Sequence, residues 1–306
     1  MSRQTRNTLL LVLAAMVWGT AFAVQSVDSA VGAFTFLAGR SWLAVVFLLL
    51  LCAATDAAAR RQGEPDGKPR TPQQKQDLLK GGLWCGSALF AYSIIHRVGV
   101  VICSSPSKAG FLNALYVVFV PILGLFVGRR APRRIWLCVA LSAGGMYLLS
   151  GGTLGGFDRS DLMMIAAGVV FAVQVLTVNR WSPHCSGIQL SLAQFVTMGC
   201  WATAGMLLFE QPTLPVVLAN LPTLLFCGVI SSGVGFTLQI VGQKDLNPAL
   251  ASLAMSLESV FCALFSWLFL QDRLTSGELA GCALMFGAVV LAQLPVEDWL
   301  HKAQTK

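Results

Sequence analysis

Charge is what this chain has least of. Lys, Arg, Asp and Glu make up 11% of its 306 residues, and His adds only three. The scarcity is concentrated, because charges almost never fall inside the long apolar runs. That excludes an ordinary soluble enzyme and points to a polytopic membrane protein. The chain also lacks CxxC, a Cys/His cluster, GxSxG, HExxH and a Walker motif. No metal centre, cofactor, hydrolase triad or ATP coupling is therefore expected. Its nine cysteines are scattered and lie mostly in apolar spans, as small buried hydrophobes do. The balance of charge is basic, but Lys and Arg sit between apolar runs. They are read as topology signals, not as a nucleic-acid surface.

What is there is hydrophobic length. A helix needs about 20 mainly apolar residues to span a bilayer. Ten such segments are predicted: Leu9–Val27, Ala33–Cys52, Leu78–Arg97, Val101–Val127, Ile135–Leu149, Asp161–Trp181, Ile188–Phe209, Val217–Gln243, Pro248–Leu270 and Ser276–Leu294. The first follows Arg3 and Arg6 like a signal peptide. It runs on through Trp18 to Val24, which makes it a first span instead. The stretch Asp56–Lys80 reads as a hydrophilic loop, with a lipid-headgroup role as its minor alternative.

A repeat orders these segments. Shifting the chain by 142 positions lays Asn247–Gln293 over the stretch that begins near Ser105, matching Pro106 with Pro248, Phe119 with Phe261 and Gly145 with Gly287. The same shift matches Cys85-Gly86 with Cys227-Gly228. Two five-helix units follow, residues 1–150 and 151–306. With the N-terminus inside, nearly all Lys and Arg fall on inner segments, and only Arg97, Arg159 and Arg273 lie outside. Five is odd, so the second unit enters the membrane the other way up, as an inverted repeat. Both termini would be cytoplasmic. Glycines at four-residue spacing, Gly82/Gly86, Gly124/Gly128 and Gly277/Gly281, are expected to let helices of one molecule approach closely.

The motifs Trp18-Gly19, KAGFLNALYVVFVP from Lys108, SLESV around Glu258 and DRLTSGELAG from Asp272 resemble EamA-type members of the drug/metabolite transporter superfamily. The resemblance spans Leu10 to Leu294. It implies a ten-helix secondary transporter of small metabolites, often amino acids moving outward. Its cavity would be lined by the first, third, fourth, sixth, eighth and ninth helices. Many members carry Glu-Pro where this chain has Glu258-Ser259, which removes a proline kink.

Ionisable groups inside the spans are Arg40, Lys108 and Glu258. Each costs at least about 2.5 kcal/mol at the bilayer centre, so each needs protein, water or a partner. Lys108, with Asn113 and Tyr116 following it along the helix, is the candidate seat for a substrate carboxylate; a snorkelling lysine is the alternative. Glu258 is the candidate for proton coupling or for a substrate amine, or else a structural carboxyl. The repeat sets Tyr116 opposite it. Arg40 is read as tying the second helix to its neighbours. Trp18, Tyr92, Gln174 and Gln239 complete the candidate substrate-binding set, as groups that either orient a polar substrate or join helix to helix. The expected partners are a small-molecule substrate, the bilayer and protons, in a monomer or weak dimer of a bacterial inner membrane. Uptake of a vitamin, sugar or nucleoside is the alternative transport reading. A membrane scaffold is the alternative outside transport.

Overall fold

The computed structural model describes residues 2–25, 31–62, 71–102, 106–150, 159–270 and 275–293. Among them there is no strand. The helices are α1 (Arg3–Gln25), α2 (Ala33–Gln62), α3 (Pro72–Ile102), α4 (Pro106–Ala114), α5 (Tyr116–Phe126), α6 (Arg133–Leu149), α7 (Arg159–Trp181), α8 (Gly187–Phe209), α9 (Leu214–Ala219), α10 (Leu221–Leu225), α11 (Thr237–Gln243), α12 (Pro248–Met255), α13 (Glu258–Leu270) and α14 (Ser276–Gln293). A π-helical stretch, Phe226–Phe236, joins α10 to α11. Seven of the described helical stretches are long and apolar enough to cross a membrane, and Gly110–Phe126 is a shorter apolar one. The protein is an all-α, multi-pass membrane protein.

Local chemistry sets the helix starts. Thr71 and Gln74 form a reciprocal capping box, Gln74 N–H donating to Thr71 Oγ1 and Thr71 N–H to Gln74 Oε1. Thr275 and Glu278 repeat it at α14. At α12, Asn247 Oδ1 accepts from Ala249 N–H and Pro248 takes the first helical position. The α2 start borrows its cap from another helix. Glu210, just past α8, accepts from the N–H groups of Phe34 and Thr35 at 2.9 and 2.8 Å. A carboxylate there meets the positive end of the helix dipole.

The hydrophilic loop expected over Asp56–Lys80 is mostly helix. The alanine-rich continuation of α2 runs to Gln62 and α3 begins at Pro72, because alanine, glutamine and a cap favour helix over loop. Residues 63–70 of that stretch lie outside the described residues.

Two of the expected spans are broken. One chain segment divides into α4 and α5 at Leu115, and another into α12 and α13 at Ser256–Leu257. The offset that lays Pro106 on Pro248 also lays Leu115 on Leu257. The second break forms without the proline that Ser259 replaces. Ser252 and Ser256 hydroxyls donate to the carbonyls of Ala249 and Leu253, an attack on the helix's own acceptors that bends it. Glu258 therefore opens a half-helix, where the sequence alone puts it mid-span.

The glycine pairs divide by environment. Gly82 and Gly86 lie against Ala193, Gln194 and Thr197 of α8, as expected for close packing. Gly128 instead ends α5 at φ +75°, a left-handed turn position that favours glycine. A Cβ on Gly281 would sit 2.5 Å from the Gly145 carbonyl oxygen, whereas one on Gly277 would meet only Thr275 Oγ1, at 3.9 Å. Gly281→Val is thus expected to prise α14 from α6 and cost about 1–3 kcal/mol. Gly277→Ala should be neutral or better. Thermal melts of the two variants check the contrast, and equal melting points would refute it.

Candidate functional site

One half of the bundle holds a partly open cavity of about 70 Å³. A water needs roughly 10–15 Å³ of such space, so it admits a handful of waters or a compact polar group. Its lining includes Trp18 and Ala21 from the end of α1, Phe36, Leu37 and Arg40 from the start of α2, and Tyr92, Ser93, His96 and Arg97 from the last third of α3. Phe171, Ser231, Phe236 and Glu258 complete it. The directions of α1, α2 and α3 put these residues toward the face opposite the N-terminus.

Glycine and the π-helical stretch bring the walls together. A Cβ on Gly228 would meet Leu43 Cβ at 2.6 Å and the Arg40 carbonyl oxygen at 3.0 Å, so only a bare backbone lets α2 sit this close. That approach puts Arg40 Nε 2.9 Å from Ser232 Oγ, to which it donates. Trp18 Nε1 donates to the Ser231 carbonyl oxygen at 3.2 Å, and its ring leans on Phe236 with centroids 4.7 Å apart. Gly19, next to it, lies against Phe261 and Cys262 of α13. Arg97 is stacked over the Phe36 ring at 4.8 Å, a cation–π arrangement.

Of the residues predicted from sequence, Trp18, Tyr92 and Glu258 meet in this cavity. Asn113 and Tyr116 do not line it. They stand one layer behind, Asn113 Nδ2 at 3.5 Å from the Tyr92 hydroxyl and Tyr116 edge-on to Phe171 at 4.8 Å. Gln174 and Gln239 are also fully buried away from it. Gln239 Nε2 donates to Gln174 Oε1 at 3.0 Å, and Gln174 Nε2 to Gln194 Oε1 at 3.4 Å, an amide ladder joining α11, α7 and α8. Both are thus bonded helix to helix. The side chain of Lys108 lies outside the described residues, as do Asp272 and Arg273.

Three further residues reach the cavity wall. Arg40 ties α2 to the π-helical stretch through Ser232 and also lines the cavity, because α2 crosses that stretch at Gly228. Arg97 was placed at an outer loop, yet α3 runs on to Ile102 and holds it inside. His96 joins it on the cavity wall. The fourth expected lining helix supplies no described lining residue, and the second helix takes its place. A signal for α3 was present in the sequence. Tyr92, Ser93, His96 and Arg97 fall at i, i+1, i+4 and i+5, which is one helical face.

The opposite, N-terminal face is closed by polar contacts. Asn7 Nδ2 donates to the Lys244 carbonyl oxygen at 2.7 Å, and Asn179 Nδ2 to that of Leu246 at 2.8 Å. Gln293 Nε2 donates to Thr8 Oγ1 at 2.6 Å, and Arg3 pairs with Asp245 at 2.6 Å. The bundle is thus hollow toward one face and tied shut at the other.

Comparison with known proteins agrees with this architecture. A solved crystal structure covering 94% of this chain and 96% of its own superposes with a TM-score of 0.74 at 18% identity, which shows a shared fold. An uncharacterized transporter of Archaeoglobus fulgidus is 27% identical over 292 residues, 94% of this chain and 85% of that protein. Protein PecM of Dickeya dadantii is 26% identical over 139 residues, 43% of each chain. Residues 159–294 match the model of the EamA-like transporter family. Its second half is thus similar to the EamA-like transporter family, and nearly its whole length is similar to a transporter, which supports a membrane transporter of the EamA type.

Proposed function

We propose that the protein is a secondary active transporter that carries a small polar metabolite across a bacterial inner membrane by alternating access. Amino acids and related metabolites, moved outward, are the first class to test. In this reading α1, α4–α5 and α6 join the seven long apolar stretches to make ten spans. Residues 1–150 and 151–306 form two inverted repeats, with both termini cytoplasmic. The matched breaks at Leu115 and Ser256–Leu257 support the repeat, since discontinuous helices in corresponding positions flank the substrate sites of such carriers.

One observation carries the reading. A cavity lined by Trp18, Arg40, Tyr92 and Glu258 lies toward one face, while Asn7, Asn179 and Asp245 help close the other. A carrier that exposes its site to one side at a time has this asymmetry, and a scaffold does not need it. Glu258 is the candidate coupling group, a carboxyl in the cavity with no hydrogen-bond partner among the described residues.

The test is counterflow into proteoliposomes holding purified whole protein. Amino acids, vitamins, sugars and nucleosides are supplied as labelled compounds, each against an excess of itself inside. Transient accumulation of at least one compound is expected, several-fold above empty liposomes. No counterflow for any compound would sink the carrier reading.

A further inference from the structure

Two arginines share the cavity, and they are engaged differently. Arg97 already has its guanidinium over the Phe36 ring. Arg40 is 8% exposed and, among the described residues, makes one side-chain hydrogen bond, from Nε to Ser232 Oγ. No described carboxylate oxygen lies within 4.0 Å of it. A guanidinium has five N–H donors in a fixed fork. With Nε held by Ser232 and Arg40 lining the cavity, no described group accepts from its two terminal nitrogens. A buried cation inside a membrane bundle, without a counter-ion, marks the path of a ligand or ion.

The nearest natural counter-ion is not in place. Glu258 is 7% exposed and lines the same cavity, yet it forms no ion pair with Arg40. It stands within electrostatic reach of the Tyr92 and Tyr116 hydroxyls. A buried cation and a buried carboxyl thus line one small cavity without pairing, which leaves Arg40 to a ligand group.

We propose that Arg40 is the carboxylate seat of this site, and that the cargo is a small carboxylic acid whose carboxylate takes the two terminal nitrogens of Arg40 side by side. The inference rests on the transport reading and narrows its cargo. Bidentate recognition of this kind is what the arginine fork does well and a lysine does not. Ser232 fixes the plane of the fork from behind. The rest of the cargo then lies among Trp18, Tyr92 and Phe171. Any amino group it carries turns toward Glu258. A dianionic head such as a phosphate monoester fits less well, because Glu258 faces the same small space. An amine without a carboxyl brings a second cation beside Arg40 and offers it no acceptor.

Three probes of similar size separate these cases: L-lactate, L-alanine and ethylamine, each added to the purified whole protein and read as a shift in melting point. A ligand that binds the folded state raises that point. L-lactate, L-alanine or both are expected to raise it by a few degrees, and ethylamine not at all. Arg40→Gln should abolish the shift. If Arg40→Gln does not fold, Ser232→Ala keeps the charge but frees the fork, and should shrink the shift at least about threefold. The assignment is overturned if ethylamine stabilises as well as the acids do. It is also overturned if neither acid stabilises, or if the acid shift survives both Arg40→Gln and Ser232→Ala. Counterflow of a cargo with no carboxyl group would overturn the carboxylate seat and leave the carrier standing.

Discussion

Glu258→Gln is expected to cut proton-driven transport at least about tenfold, equivalent to ~1.4 kcal/mol on the rate, while the variant inserts and melts like the parent. The reasoning starts from what the carboxyl touches. Among the described residues it makes no hydrogen bond and no ion pair, so exchanging it for an amide of the same shape breaks no contact. The groups that share its surroundings are Arg40, His96 and Arg97 on the cavity wall and the hydroxyls of Tyr92 and Tyr116. None of these depends on Glu258 for a bond. What the amide cannot do is take up and release a proton. Transport by the parent should therefore vary with the pH difference across the membrane, and transport by Glu258→Gln should not. Flux in proteoliposomes with an imposed pH gradient gives the first readout, and a thermal melt gives the second. If rate and melting point fell together, Glu258 would be a structural carboxyl. If neither changed, it would have no part in coupling.

The fold was legible in the sequence wherever hydrophobic length decides the outcome. The apolar runs became helices, and the Thr71 and Thr275 caps are written in four-residue signatures. The shared break position was half visible. The offset between Leu115 and Leu257 can be read from the repeat, but the break itself cannot. At Ser256–Leu257 it depends on serine hydroxyls turning back on their own helix, and serine is also common in unbroken spans. The site was less legible, because a cavity depends on which helix faces cross. Trp18, Tyr92 and Glu258 announced themselves as polar or aromatic groups in apolar spans. Arg40 has the same signal, but its role depends on Gly228 admitting α2, a contact 188 positions away in sequence. Gln174 and Gln239 show the converse. They look like ligand groups, yet they lie away from the cavity, Gln239 donating to Gln174.

Asn179→Ala should open the closed face, and it should do so far more than Arg3→Ala. Asn179 is buried, and its side-chain amide reaches the carbonyl oxygens of Leu246, at 2.8 Å, and Gln243, at 3.4 Å. The Gln243 carbonyl, at the end of α11, also accepts from the Leu246 N–H at 3.1 Å, so it is the Leu246 carbonyl that depends on Asn179. Removing that side chain costs about 1–3 kcal/mol, the desolvation cost of a buried acceptor left alone. The turn it holds also carries Asp245 at φ +61°, a conformation non-glycine residues adopt reluctantly, so the turn is poised to relax once released. Arg3 and Asp245 are 64% and 41% exposed, and an exposed pair contributes at most about 1 kcal/mol. The reporter is already in the chain. Cys185 is buried beside this turn, packed with Leu190 and Ile240. In a background keeping Cys185 as the sole cysteine, Asn179→Ala should speed maleimide labelling about tenfold, the population shift that ~1.4 kcal/mol supplies. Arg3→Ala should leave labelling within about twofold of the parent, because its pair is worth so little. A fall in melting point without faster labelling would make Asn179 a brace for α11 and α12. The closure of this face would then rest on Asn7 and Gln293, whose bonds tie α1 to the Lys244 carbonyl and to α14.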